Sequence, residues 1–173
     1  MSFELTSVEL YHKVTQFLYQ EARYLDDEQW DDWLACYAPE ASFWMPAWDD
    51  DDTLVKDPNT EISLIYYPNR QGLEDRVFRI KTERSSATMP DTRTSHNLSN
   101  IEIEKVEGDA VNPTRVTVRF NWANLSFRYK TLYNYFGMSR YEIDMSGEKP
   151  QILSKYVVLK NDYITQVIDV YHI

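Results

Sequence analysis

The stretch Thr114–Lys130, TRVTVRFNWANLSFRYK, decides the fold because it alternates apolar and polar residues for far longer than a turn or helix allows. Val116, Val118, Phe120 and Trp122 share one parity, as in a strand with one face on a core. After Ala123-Asn124 the apolar residues change parity to Leu125, Phe127 and Tyr129, so the inward face is expected to switch there through a bulge or sharp bend. Three similar runs flank it, at about 94–106, 132–145 and 151–161, punctuated by Gly108-Asp109, Lys130-Thr131 and Ser146-Gly147. Sequential hairpins of this kind form an antiparallel meander.

Upstream the period lengthens to that of helices. Thr6 and Glu9 have capping-box spacing, and Tyr11, Val14, Leu18, Ala22 and Leu25 then recur on one face, giving a helix over roughly 7–25. Asp26 and Asp27 offer N-cap oxygens to a second, short helix carrying Trp30, Trp33, Leu34 and Tyr37, which Pro39 stops. Ala41–Trp48 is aromatic and strand-like, and Asp49–Asp52 with Asp57-Pro58-Asn59 makes an acidic surface loop. Ile62–Tyr67 is a short apolar run. Leu73, Val77, Phe78 and Ile80 suit a third helix ending near Thr82, and 83–93 reads as a loop. Three helices before a long bent sheet give an α+β architecture, with the helices closing one face of a curved, mainly antiparallel sheet into a cone with a central cavity. Residues 1–173 form one domain.

Composition narrows the function. The chain holds 13 Tyr, 7 Phe and 5 Trp, too many for disorder, and its 4 Gly include no phosphate-cradling motif. A net charge of −10 argues against nucleic acid and anionic membranes as partners. The charge is uneven: residues 1–61 carry fifteen Asp/Glu against three Lys/Arg, whereas 62–173 carry thirteen against fifteen. With one cysteine, no apolar leader and no apolar run near membrane length, the chain reads as soluble and cytoplasmic.

Redox iron is excluded on ligand count. A Rieske centre needs two Cys and two His, and this chain has Cys36 with His12, His96 and His172 far apart in sequence. A mononuclear iron site needs two His and a carboxylate at one point, which these elements are not expected to supply. Asp49–Asp52 lacks the alternating spacing and Gly of a calcium loop, and Cys36 has no cation to activate it. The best catalytic candidate is His96, which with Asp26 or Asp27 and a tyrosine such as Tyr133 could run acid/base chemistry in the cavity. The competing reading of His96 is a strand histidine bonded to its neighbours.

Arg70, Arg76, Arg79, Lys81, Arg84 and Arg93 gather in an otherwise acidic protein. An interface uses such forks well, and pairing with Glu74, Asp75 and Glu83 uses them equally well. The loop and helix from Tyr66 and Tyr67 to Arg84, with Tyr171 and His172, are the expected contact surface for a trimer.

Several strings are more specific: Glu21-Ala22-Arg23-Tyr24-Leu25-Asp26, Trp44-Met45-Pro46, Arg93-Thr94-Ser95-His96-Asn97-Leu98-Ser99-Asn100 and Lys160-Asn161-Asp162. Through them nearly the whole chain resembles the small (β) subunit of Rieske-type aromatic-ring-hydroxylating dioxygenases. Trp48–Asp52, Glu61–Arg70 and Ile168–His172 look like the branch acting on benzoate, toluate or anthranilate. The resemblance implies a cone fold similar to nuclear transport factor 2 and an α3β3 hexamer. It also implies that the large subunit carries the Rieske [2Fe–2S] cluster and mononuclear Fe(II), and that a separate reductase uses NADH. The complex would convert an aromatic carboxylate and O2 to a cis-dihydrodiol, with this chain mainly structural and holding no cofactor. The alternative is a free-standing cone-fold isomerase or dehydratase built on His96.

Overall fold

The computed structural model describes residues 7–82, 92–109, 112–163 and 167–173. Helix α1 spans Val8–Asp26 and buries Leu10, Val14, Phe17, Leu18, Ala22 and Leu25 along one stripe. Its cap is Ser7, whose Oγ accepts from the Leu10 N–H at 3.1 Å; Thr6, the expected cap, lies outside the described residues. Helix α2, Trp30–Ala35, has no side-chain cap, since Gln29 stands before it and Asp26 is used elsewhere. Helix α3 is Gln71–Lys81, with Leu73 and Val77 facing inward.

The strands are β1 (Tyr37–Pro46), β2 (Ser63–Tyr67), β3 (Arg93–Ser95), β4 (Leu98–Gly108), β5 (Pro113–Arg128), β6 (Thr131–Asp144) and β7 (Gln151–Leu159). They form one sheet in the order β2-β1-β7-β6-β5, and β3 and β4 follow one another along the far edge of β5. All pairs are antiparallel except β1 with β7. The meander expected from alternation is therefore present, and the single run drawn from 94 to 106 is two strands meeting at a corner, His96-Asn97.

The expected face switch in β5 does not occur. Its pairing with β6 runs from Arg115↔Asp144 to Arg128↔Thr131 without a shift, and the inward parity continues through Asn124 and Ser126, 2% and 1% exposed. Asn124 fills its inward position because partners await it: its Oδ1 accepts from the Asn97 N–H and its Nδ2 donates to the His172 carbonyl, both at 3.3 Å. The irregularity lies one strand over, in β4, where the register shifts between Ser99 and Glu102 and Asn100 takes a φ of 53°. Leu125, Tyr129, Leu132 and Phe136 are left exposed at one end of the β5–β6 hairpin.

That hairpin closes through Tyr129 and Lys130, both at positive φ as a tight two-residue turn requires. Between β6 and β7 the strands approach so closely at Gly137 that a Cβ there would stand 1.8 Å from the Val158 carbonyl oxygen. Helix α1 lies across the concave side, and its stripe joins Tyr37, Phe43, Val118, Phe120, Trp122, Tyr141 and Val157 in one core. The chain ends in a 3-10 turn, Val170–His172, buried against the inner side of β5 and β6, where the Tyr135 and His172 rings lie 5.3 Å apart.

Candidate functional site: the cone interior and its rim

Two polar groups occupy the concave side. The first joins the C-terminal end of α1 to the β3–β4 corner. Asp26 Oδ1 lies 2.6 Å from His96 Nδ1 and accepts from Thr94 Oγ1 at 2.8 Å, and Asp26 Oδ2 accepts from the His96 N–H at 3.0 Å. Burial raises the Asp26 carboxyl, but the His96 hydrogen bond and charge, with the Thr94 hydroxyl, outweigh it and hold the group below its ordinary value. The expected partnership of His96 with Asp26 is thus formed, whereas Tyr133 is absent from the cavity wall and Tyr141 takes that place.

The second group is a buried ion pair that sequence reasoning missed. Glu21 of α1 sits 3.3 Å from Lys155 Nζ of β7, and its Oε1 also accepts from Trp33 Nε1 at 2.9 Å and Tyr37 OH at 2.7 Å. Burial pushes the Glu21 carboxyl up, yet the Lys155 charge and the Tyr37 and Trp33 donors bring it below normal. Burial lowers Lys155 against the pull of Glu21, and its ammonium lies 5.2 Å from the ring centres of both Phe43 and Tyr141. The signal was available: Glu21 interrupts the apolar stripe of α1, and Lys155 shares parity with Val157 and Leu159.

Cys36 is buried beside this pair. Burial and the Glu21 and Asp32 charges push its thiol up to about 12, so it stays protonated and unreactive. His172 is buried too, its Nδ1 accepting from the Asp169 N–H at 2.9 Å, and burial with the nearby His96, Arg128 and Arg76 charges lowers it to about 3. Among the described residues no three His, Cys, Asp or Glu side chains gather where a metal ion could be held.

The cavity enclosed by these groups is lined by Glu21, His96, Trp122, Asn124, Tyr141 and Lys155 among others, and leaves only about 10 Å³ for the centre of a water-sized molecule. A small organic substrate needs roughly 300 Å³ or more. The cone is filled.

The rim is more open. A groove of about 340 Å³ runs between β2, α3 and the C-terminal segment, and it brings together Tyr66, Tyr67, Arg76 and Arg79 with Val167 and Asp169. Arg76 is committed inside the chain, its Nε donating to Asp169 Oδ1 at 2.7 Å while its Nη2 contacts the other carboxylate oxygen. Arg70 is likewise committed, to Glu74 Oε1 and to the Tyr37 carbonyl, both at 2.8 Å. Arg79 bonds only weakly, to the Asp75 carbonyl at 3.3 Å, and Ile62 and Phe78 stand exposed on the same two elements, β2 with its approach and α3. Tyr171 and His172 do not join this surface: both are buried by their own chain, because the final turn packs inward. Arg84 lies outside the described residues.

The fold is thus an α+β cone whose interior is closed by its own side chains, with aromatic and arginine residues at its rim. Residues 20–166 match the family described as ring hydroxylating beta subunit, and the chain belongs to that family. It is 75% identical over 161 residues to the benzoate 1,2-dioxygenase subunit beta of Acinetobacter baylyi, covering 93% of this chain and 92% of the relative. It is 61% identical to the toluate 1,2-dioxygenase subunit beta of Pseudomonas putida, covering 94% and 98%. The crystal structure of the benzoate 1,2-dioxygenase beta subunit of Burkholderia mallei superposes with a TM-score of 0.79 at 59% identity, covering 99% of this chain and all of that one.

Proposed function

We propose that this chain is the small subunit of the terminal oxygenase of a dioxygenase acting on benzoate or a close aromatic carboxylate, and that its own part is assembly. The carrying observation is similarity at 75% identity through nearly the whole length of a benzoate 1,2-dioxygenase subunit beta. One cysteine and three dispersed histidines do not fit a Rieske cluster or a mononuclear iron, so both belong to a large subunit in this reading. In it the chain forms a trimer and docks on large subunits as an α3β3 hexamer in the cytoplasm. NADH electrons arrive through a separate reductase, and the product is a cis-dihydrodiol.

The filled cone supports assembly over the alternative of an isomerase or dehydratase, since His96 faces a space too small for a substrate. Within this proposal the contact surface comprises Tyr66, Tyr67 and Arg79 at the rim groove and the exposed Leu132 and Phe136 of the β5–β6 hairpin. The test is co-expression with the large subunit. The expected result is a complex of both chains whose iron all resides on the large one, with benzoate-dependent oxygen uptake when the reductase and NADH are added. A large subunit fully active and assembled without this chain, or turnover by this chain alone, would overturn it.

A further inference from the structure

A three-fold ring of identical subunits is heterologous: each copy offers two different patches, and one receives what the other presents. The rim groove has the form of a receiver. Its charged lining is Arg76, Arg79 and Asp169, and because Arg76 is neutralised by Asp169 the groove keeps the positive charge of Arg79. Arg79 is exposed and holds only the Asp75 carbonyl, at 3.3 Å. Ile62 and Phe78, 79% and 61% exposed on the same two elements, add apolar area that a partner would cover.

The chain itself supplies an acidic counterpart. Asp49–Asp52 turns between Trp48 and Leu54, which pair as an isolated antiparallel bridge. The turn is closed by its own groups. The Asp49 N–H donates to the Thr53 carbonyl at 2.8 Å, the Asp52 N–H donates to the Asp49 carbonyl at 3.0 Å, and Asp51 Oδ1 accepts from the Thr53 N–H and hydroxyl at 3.0 and 2.6 Å. Its backbone is thereby set before a partner arrives, so little ordering entropy is lost on docking. Asp50 is exposed and contributes its N–H, not its carboxylate, to the closure. Among the described residues none of the four carboxylates forms an ion pair. Four like charges on consecutive residues repel, and a cation set against them relieves that repulsion. The donor thus lies in the acidic first third of the chain and the receiver in the mildly basic remainder, as a heterologous contact needs.

We propose that the Asp49–Asp52 turn of one copy seats in the rim groove of the next, with Asp50 against Arg79 and with Ile62, Leu64 and Phe78 covered around the contact. The proposal rests on the trimer reading and adds which two patches meet. Each copy is donor once and receiver once, so three identical contacts close the ring.

Charge reversal tests it, on the chain alone and with the large subunit, with circular dichroism as the check on folding. Arg79→Glu and Asp50→Arg should each raise the concentration at which the trimer dissociates about tenfold or more in sedimentation, and the double variant should recover most of that loss. A chain carrying both Asp50→Cys and Arg79→Cys, treated to completion with a short bismaleimide, should give covalent trimers; the Cys36 thiol, buried and pushed up to about 12, stays out of the reaction. A trimer that survives both reversals, a double variant no better than the singles, links confined to single chains, or an Arg79→Glu trimer that loses only the large subunit would overturn the contact and leave the trimer reading standing. A wild-type monomer, or linkage that ends at dimers, would overturn both. If a reversal variant does not fold, the cysteine variant decides.

Discussion

Asp26, the last residue of α1, holds His96 twice, by the ring at Nδ1 and by the backbone N–H. One carboxylate thereby pins a helix end and the sheet corner to each other, and the corner is where β3 gives way to β4 along the edge of β5.

Asp26→Asn should lower stability by about 1–3 kcal/mol at neutral pH, the range for a hydrogen bond to a charged group and its loss. Because the folded carboxyl is held low, its contribution is complete above the unfolded value of about 4 and disappears as pH falls through the folded value. Urea titrations of both proteins at several pH values check this: their midpoints should converge in acid. His96→Gln should weaken folding or complex yield, and a folded, iron-replete complex of this variant lacking product formation would restore His96 as a catalytic residue.

Glu21→Gln or Lys155→Met removes one member of a buried ion pair and should cost about 3–5 kcal/mol, since the other charge stays buried. The double variant Glu21→Gln with Lys155→Met should recover part of that loss. Denaturation midpoints of the wild type and the three variants measure the coupling; simple additivity would mean the pair does not act as a unit.

His172 supplies a second pH dependence of opposite origin. Its imidazole stays neutral in the fold down to about 3, whereas an unfolded histidine takes up a proton near 6.5. Between these values the unfolded chain binds the extra proton, so acidification costs stability across that window. Proton or ¹⁵N spectra should show the His172 ring failing to titrate from neutrality to pH 5 while the thermal midpoint falls; His172→Phe should flatten that part of the curve.

Arg76 and Arg79 look alike in sequence, at i and i+3 on α3, and should behave differently. Arg76→Glu should loosen the C-terminal turn, because Arg76 is the ionic partner of Asp169, and should lower the melting temperature of the isolated chain. Arg79→Glu should leave that temperature within about 0.5 kcal/mol of stability. Sedimentation of the complex should then show the Arg79 variant dissociating at higher concentration than wild type. Equal melting temperatures for the two variants would remove the distinction.

Much of the architecture was legible because long alternating strands and a heptad-like stripe leave strong periodic marks, as in Val116–Trp122 and Val14–Leu25. The failures share a cause. Asn124 lies inside because the distant Asn97 and His172 satisfy it, a tertiary fact that local pattern does not carry. Asp26 had the right chemistry for a helix cap, and a histidine seventy residues away outcompeted that use. Tyr171 and His172 were expected in a contact surface because interfaces are rich in such aromatic residues; the Asp169 side chain, paired with Arg76, turns them in instead. At the site, His96 with Asp26 was readable, and the size of the space before it was not.

The parallel pairing of β1 with β7 sets a timetable for synthesis. Ser42 meets Ser154 and the Trp48 indole donates to the Leu159 carbonyl, contacts more than a hundred residues apart along the chain. Until β7 has emerged from the ribosome, β1 and β2 have no neighbour to complete their ladder, and one flank of β6 is bare as well. The growing polypeptide therefore carries open, aromatic-rich strand edges for most of its translation, the condition in which chains pair wrongly with one another. A polypeptide released before Gln151 would keep those edges permanently, and a slow pause in translation just upstream of that residue would prolong the exposure in every copy made.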